Sequence, residues 1–383
     1  MKRDFAPQRL ELFLRKYRGL NRLILRGWRP GATAYVLGQI LLGARKSMQP
    51  MAARLHEIPY DVIQHFITDS PWDWESFQLE TVEQVRDEVG RKDGLLNFDD
   101  RAFVKAGEHS VGVARQYCGQ LGNVANCQVA VACVYVRQHP TRSADAGVFP
   151  LLIRLYLPEE WASDAKRRRE VRVPRAVKFW KKWEIALEMV DSVLARGLPH
   201  AAVGTDAGYG DSAEFRAGLR ARRERYVVGV NPSSLYVVRA GLQLRKPRKG
   251  PTGRPEAAPR LPRGVRSRSA AAMMKNVPAK EWKEVVWAEG TKGPLGGLFA
   301  RVKVRVTKKQ KPRRRLAGCC SSDGRTRRRR TFVMGSTIRR WRSWCGSRGG
   351  AGRSSSFSAR RRTRWGWTTS RGGRGRGGTT TRR

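Results

Sequence analysis

Two places in this chain put aspartates directly after short apolar runs, which is the pattern of a carboxylate delivered by the end of a β-strand. Asp99 and Asp100 follow the run 95–98, and Asp206 follows the run 201–205. Carboxylates from separate elements are usual ligands of Mg²⁺. Two such ions about 4 Å apart can activate both oxygens of a phosphodiester exchange. The residues therefore predict a Mg²⁺ site, which Mn²⁺ could also fill, although strand-end aspartates also serve as plain turn formers.

The segments around these aspartates indicate a mixed α/β core. Strands and one long helix are predicted, with the helix ending at a capping Gly197; the strands lie at 95–99, 128–136, 149–157, 201–205 and 226–230, and the helix at about 175–196. The elements follow one another as a strand, a hairpin, a third strand, a helix and a fourth strand that ends in a carboxylate. This is the order of an RNase H-like core. The predicted fold class is therefore α/β, with an RNase H-like catalytic core.

Composition divides the chain into four predicted regions. They are a helical N-terminal DNA-binding region at 1–90, the RNase H-like core at 91–235, a linker and β-rich insertion at 236–306, and a disordered Arg/Gly-rich tail at 307–383. Apolar residues from Tyr35 to Met48 recur at helical spacing, and Pro50 is expected to break that helix. The alternation Phe-Ala-Arg-Val-Lys-Val-Arg-Val at 299–306 predicts a strand.

The charge balance favours a polyanionic partner. The formal net charge is +46 and the isoelectric point is near 11.4, which fits nucleic acid but also any ribosome-associated or chromatin-like protein. No apolar run approaches the ~20 residues of a membrane span, and the N-terminus lacks a secretory apolar core. The six cysteines lack metal spacing and are expected to be buried reduced thiols. We therefore expect a cytoplasmic, nucleoid-associated protein that does not enter a membrane.

Short motifs carry a resemblance to a known family. They are Arg-Lys-Ser-Met-Gln-Pro-Met-Ala at 45–52, Tyr-Cys-Gly-Gln-Leu-Gly at 117–122, Asn-Cys-Gln-Val at 126–129 and Asp-Ala-Gly-Tyr-Gly-Asp at 206–211. With these motifs the chain resembles the DDE transposases of bacterial insertion sequences, in the branch with a β-rich insertion before the last catalytic residue. The resemblance implies DNA cutting and joining at terminal inverted repeats with Mg²⁺, and insertion into target DNA, by a homodimer bound to double-stranded DNA.

The resemblance also assigns roles to individual residues. Its catalytic aspartates correspond to Asp100 and Asp206, and Asp99 is expected as a further metal neighbour. Expected DNA contacts are Lys105 in the core and Arg45 and Lys46 in the N-terminal region, with His109 as a further phosphate-contact candidate or a plain surface residue.

The chain departs from the family pattern beside the first aspartate and at the third carboxylate. Arg101 replaces a threonine, Ala102 a glycine and Ala106 a lysine. A guanidinium at Arg101 is expected to pair with Asp100 and to compete with the metal. The family supplies a catalytic glutamate after the β-insertion, but this chain has no glutamate after Glu289. The resemblance thus predicts a transposase that is catalytically defective.

The tail at 311–383 has 22 arginines, and its single acidic residue is Asp323. One interpretation is a disordered Arg/Gly tail that binds nucleic acid. The interpretation we favour is a shifted reading frame, with the slip near 306–320. With GC-rich codons, moving 353–371 back by one base restores family-like words that include Ile-Glu, and it turns the threonines at 379–381 into histidines. The glutamate codon would then straddle Ser354 and Ser355.

Two other functions remain open at the level of sequence. The first is a truncated, non-catalytic protein that occupies transposon ends. The second is a basic RNA-binding protein whose aromatic residues stack on bases; the candidates are Trp341, Trp344, Trp365 and Trp367.

Overall fold

The computed structural model describes residues 29–40, 46–55, 58–70, 73–137, 147–245, 261–290, 293–308, 311–323 and 332–335. These residues fall into one compact unit that ends at Phe77 and a second that begins at Gln78. Arg45, the four tail tryptophans and the proposed Ser354 and Ser355 codons lie outside the described residues, as does the prediction of disorder for 336–383. None of the helices in the described ranges is long and apolar enough for a membrane crossing.

The described residues of the N-terminal unit are largely helical, as predicted. Its helices are α1 (Arg29–Ile40), α2 (Met48–Arg54) and α3 (Tyr60–Thr68), and α4 (Trp74–Glu88) begins in this unit. Ala34, Met51 and Ile63 form one of its buried clusters. The expectation that Pro50 breaks a helix is wrong, because Pro50 lies in the first turn of α2. Backbone N–H groups of a first turn have no partner within the helix, so proline loses no hydrogen bond there.

The second unit contains one mixed sheet with helices packed against it. Its strands are β1 (Leu95–Val104), β2 (Ala114–Cys118), β3 (Asn123–Arg137), β4 (Gly147–Leu155), β5 (Ala202–Thr205), β6 (Tyr226–Gly229), β7 (Tyr236–Arg239), β8 (Arg268–Ser269), β9 (Lys283–Gly290), β10 (Gly293–Lys308), β11 (Lys311–Asp323) and β12 (Phe332–Gly335). Its helices after α4 are α5 (Glu159–Ser163), α6 (Ala165–Glu170), α7 (Lys182–Ala195), α8 (Ala207–Gly210), α9 (Ala213–Ala221) and α10 (Ala270–Lys275), and a 3₁₀ turn spans Ala279–Glu281.

Five strands have the RNase H-like order β4-β3-β1-β5-β6. Neighbouring strands β1, β3 and β4 are antiparallel, whereas β5 runs parallel to β1 and β6 runs parallel to β5. The return of the chain to a parallel strand requires a crossover, which α7 provides. The α/β, RNase H-like prediction is confirmed. Strand β10 pairs with both β7 and β9 beyond this core, where a β-rich insertion is expected.

Helix α7 covers the face of the sheet on which the site lies. Its buried side chains are Ile185, Ala186, Leu187, Met189, Val190 and Val193, and they share one core cluster with Leu96 and Phe98 of β1. The helix begins at Lys182 rather than near 175, so the predicted start is wrong. The Glu184 carboxylate accepts the Lys181 N–H at 2.7 Å, and this bond marks a helix start. Gly197, at φ 66°, follows its end.

The described cysteines agree with the sequence prediction. Cys118, Cys127 and Cys133 are buried and free, as expected of reduced thiols.

In the tail, the described segments β11 and β12 are strands: β11 pairs with β10, and β12 pairs with β11 and β6. The prediction of disorder is therefore wrong for these two segments. Pairing with β10 and β6 satisfies backbone groups of these two segments, which composition alone does not reveal.

Candidate active site

Asp100 lies inside strand β1 rather than at its end. The expected strand end at residue 99 is wrong, because β1 continues to Val104 while pairing with β3, with Asp100 opposite Val131. The parallel partner β5 pairs only with residues 95–98. The sheet therefore stops on one side of β1 just before Asp100. Side chains alternate between the two faces of a strand, which puts Asp100 on the same face as Phe98, toward α7.

Asp206 follows β5 directly and begins helix α8. Thr205 lies opposite Phe98 in the parallel register, so Asp206 follows at the level of Asp99. Its Oδ1 accepts the backbone N–H of Gly208 at 2.9 Å, and the residue is exposed. This N-cap bond orients the carboxylate at the end of β5. The structure therefore places Asp100 within β1 and Asp206 directly after the neighbouring strand β5, at similar levels of the sheet.

Tyr209 lies among these carboxylates. Its ring is buried, and its hydroxyl donates a hydrogen bond to Oδ1 of Asp100 at 2.5 Å. Burial raises the pKa of Tyr209 most, and the negative charge of Asp100 and its hydrogen bond raise it further. The charges of Asp206 and Asp99 also raise this pKa. The phenol of Tyr209 is thus neutral and remains a hydrogen-bond donor to Asp100.

Lys182 holds the other oxygen of Asp100. Its Nζ donates to Oδ2 at 2.6 Å, and the two side chains are 31% and 36% exposed. The ammonium also lies 5.1 Å from the centre of the Tyr156 ring. Because Lys182 is the first residue of α7, the start of that helix determines where the charge lies. Asp100 is therefore fixed by one donor on each oxygen.

Asp99 and Arg101 occupy the face of β1 opposite Asp100. Asp99 uses Oδ1 to accept the backbone N–H of Asp100 at 2.8 Å. Arg101 is exposed. The expected pairing of Arg101 with Asp100 is wrong, since the cation that pairs with Asp100 among the described residues is Lys182. Strand alternation explains this outcome, because neighbouring residues of β1 point to opposite sides.

The described candidates for DNA contacts come from both units. Lys105 follows β1 and is half-buried, with its backbone N–H donating to the Asn126 carbonyl at 3.0 Å. His109 is exposed in the loop between β1 and β2. Lys46 belongs to the N-terminal unit, where its Nζ is 3.4 Å from the Gly38 carbonyl.

The donor atoms at Asp100 and Asp206 match a hard divalent cation. Mg²⁺ is commonly held by one or two carboxylates and completes its shell with water and substrate phosphate. Asp206 is exposed, and the Lys182 ammonium shows that a cation is accepted at Asp100. Among the described residues there is no group of three or more potential metal-binding side chains. The site therefore fits a hard divalent cation in ligand type, and Asp100 and Asp206 are the two carboxylates that the described residues bring to it.

Lys182 and Tyr209 were missed by reasoning from sequence. Tyr209 lies within the motif at 206–211, one helical turn after Asp206, so its spacing was a usable signal. Lys182 was hidden inside a longer predicted helix, and its contact with Asp100 spans 82 positions in the chain.

Comparisons with known proteins identify the family of this chain. A family model described as DDE superfamily endonuclease matches residues 17–294, which is more than half of the chain. A curated protein of Microchaete diplosiphon, described as "Probable transposase for insertion sequence element IS701", is 30% identical over 176 residues. The match covers 46% of this chain and 41% of that protein, so the chain spans less than half the length of this relative. The family match includes both aspartate-bearing strands and the helix between them, and the chain belongs to the family of DDE superfamily endonucleases.

Proposed function

We propose that this protein is a DNA transposase of an insertion sequence, which cuts and joins double-stranded DNA at terminal inverted repeats. The observation that carries the proposal is the placement of Asp100 and Asp206 on adjacent strands around the Tyr209 hydroxyl. The name of the Microchaete diplosiphon relative supports the proposal. We further propose that the protein acts in the bacterial cytoplasm, close to the nucleoid, and pairs as a homodimer on DNA.

Asp100 and Asp206 would hold the divalent ion, with Asp99 as an additional charge nearby. When bound, Mg²⁺ would activate the attacking oxygen and stabilise charge on the leaving oxygen of the phosphodiester. Tyr209 would keep Asp100 in one orientation, because its raised pKa keeps the phenol protonated and donating. Lys182 pairs with the second oxygen of Asp100 and would compete with the ion for that carboxylate. Lys105 is proposed as a phosphate contact in the core, and Arg45 and Lys46 as contacts of the N-terminal region.

We propose that catalysis by this polypeptide is defective, since two carboxylates hold two metal ions poorly. The test is nicking and strand transfer on a supercoiled plasmid carrying terminal repeats, in Mg²⁺ and in Mn²⁺. The expected result is little product in either metal, with any residual nicking lost in Asp206→Asn. Efficient strand transfer by this chain would contradict the proposed defect and would leave the assignment as a transposase intact.

We infer that the missing carboxylate was lost through a one-base shift of the reading frame near 306–320. The match to the family ends at residue 294, upstream of that place. The acidic residues of the chain also end early, with Glu289 followed only by Asp323. The test is the encoding DNA. An offset frame that encodes the Ile-Glu word and a histidine run supports the inference, and an offset frame without them refutes it.

A second candidate function is DNA binding without catalysis. The observation in its favour is that both oxygens of Asp100 are already hydrogen-bonded, to Lys182 and Tyr209. Such a protein would occupy transposon ends and exclude an active copy. Gel shifts on a terminal repeat and on random DNA of equal length test this idea. Preference for the repeat without cleavage favours it, whereas equal affinity indicates binding by charge alone. A preference for RNA over both duplexes would favour the RNA-binding alternative.

A further inference from the structure

A strongly basic segment runs from helix α6 to the candidate site. We name residues 165–182 the basic arm. It contains nine cations and a single acidic residue, Glu170. Six of the cations are exposed and form no ion pair with another described residue: Lys166, Arg169, Arg172, Arg175, Lys178 and Lys181. A surface with this excess of positive charge attracts polyanions.

The first half of the basic arm is held in place by contacts made through two arginines. The Arg167 guanidinium lies 3.6 Å from the centre of the Trp161 ring, and Trp161 is fully buried. The Arg168 guanidinium donates to the backbone carbonyls of Ala162 at 3.1 Å and Val177 at 2.8 Å. These two arginines therefore have a structural role. They fix the backbone from which the exposed cations project.

The second half of the basic arm leads into the candidate site. Phe179 packs edge-on against Tyr156, with ring centroids 6.3 Å apart. Lys182 lies over that same Tyr156 ring and ends on Asp100. Trp180 is partly exposed and lies 5.3 Å below the Arg154 guanidinium. The exposed cations at 175, 178 and 181 are therefore close in the chain to Lys182, which contacts Asp100 directly.

We propose that the basic arm is the surface that guides the DNA backbone onto the Asp100–Asp206 site. This inference rests on the proposed function and adds to it the path of the substrate. Charges held on a fixed backbone bind phosphates with less loss of conformational entropy than charges on a free chain. Neutralised phosphates release counterions, so affinity for DNA falls steeply with salt. Exposed Trp180 offers an aromatic surface beside that path.

The first test is acetylation of lysines on the full chain, read by mass spectrometry, with and without a short DNA duplex. Lys166, Lys178 and Lys181 belong to the basic arm, and Lys275, Lys280 and Lys283 are equally exposed controls elsewhere in the second unit. The duplex is expected to slow acetylation of the arm lysines by about fivefold or more, because phosphates cover them. The control lysines should react at unchanged rates. Equal protection of both sets, or none in the arm, overturns the proposal.

The second test is the salt dependence of duplex binding by two triple variants. The first variant combines Arg175→Gln, Lys178→Gln and Lys181→Gln. Its plot of log affinity against log salt is expected to be less steep by about 2 to 3, since each lost phosphate contact contributes about 0.9 to the steepness. The matched triple Lys275→Gln, Lys280→Gln and Lys283→Gln should keep the slope of the unchanged protein. An equal decrease in both variants overturns the role of the arm.

The two tests separate this inference from the proposed function. A chain that does not bind duplex DNA at low salt contradicts both. A chain that binds DNA while its arm lysines stay reactive contradicts only the path proposed here. Protection of the arm by duplex RNA and not by duplex DNA contradicts DNA as the occupant.

Discussion

Lys182 and Asp100 are joined by a 2.6 Å contact between Nζ and Oδ2. The two residues come from the start of α7 and the middle of β1, so the contact couples the crossover helix to the strand that carries the candidate metal ligand. A divalent ion bound at Asp100 would coordinate the same carboxylate that Lys182 contacts. The ammonium is therefore a competitor of the metal at this site.

Removing this competitor should strengthen metal binding. Lys182→Met is expected to bind Mn²⁺ about fivefold more tightly without DNA, a change of about 1 kcal/mol that reflects the partial exposure of the pair. Mn²⁺ titration followed by electron paramagnetic resonance measures the affinity. Lys181→Met removes the same charge one residue away and should leave the affinity nearly unchanged. Weaker Mn²⁺ binding by Lys182→Met would show that the lysine supports the metal site instead.

Replacing the two candidate ligands should weaken the same binding. Asp100→Asn and Asp206→Asn are each expected to reduce Mn²⁺ affinity by about 10- to 100-fold, because a neutral amide replaces an anionic ligand. Asp99→Asn removes an equal charge on the opposite face of β1 and should have a much smaller effect. Equal losses in all three variants would indicate a general effect of charge rather than two specific ligands.

Tyr209 should contribute to unfolding at high pH. Its pKa is raised in the folded protein from the ordinary value of 10.0, so above that pH the unfolded state loses a proton that the folded state retains. Folding stability is therefore complete below pH 10 and declines as pH rises further. Tyr209→Phe should show a shallower decline in the free energy of unfolding above pH 10. Near neutral pH the same variant should be destabilised by about 1 to 2 kcal/mol, because it loses a hydrogen bond to a charged group.

Denaturant unfolding at a series of pH values measures both effects. Tyr117→Phe is the matched control, since Tyr117 is 64% exposed. Its profile should follow that of the unchanged protein. Identical alkaline profiles for Tyr209→Phe and the unchanged protein would rule out Tyr209 as a source of the pH dependence.

Gly210 should be required for the placement of α8. A Cβ at this position would overlap the carbonyl oxygen of Gly229 in β6, and that backbone cannot move without displacing the sheet. Gly210→Ala is expected to destabilise the protein by about 1 to 3 kcal/mol and to weaken Mn²⁺ binding, since α8 carries Tyr209 and begins at Asp206. Gly107→Ala, where a Cβ would meet no atom within 4 Å, should be neutral in thermal unfolding. Wild-type stability of Gly210→Ala would show that the close packing is not required.

Much of the core could be predicted because its signals are local. Apolar runs of strand length and helical spacing from Trp183 to Leu194 predicted the elements and their order, and that order has few topological solutions. The bounds were less accurate. Helix α7 starts later than its apolar pattern suggests, because Glu184 binds the Lys181 N–H and Phe179 packs on Tyr156. Strand β1 runs past its aspartates because β3 continues to pair with it.

The sequence by itself determined which residues could bind a metal, since Asp100 and Asp206 each follow a recognisable strand within a family-like motif. It also determined the overall charge and showed that Asp323 is the only acidic residue after Glu289. Only the tertiary structure decided which groups surround those aspartates. The partner of Asp100 is Lys182 rather than the expected Arg101, and Tyr209 also belongs to the site. Strand alternation and helix packing determine which distant side chains meet. Such contacts depend on the relative placement of elements, and no local pattern in the chain encodes that placement.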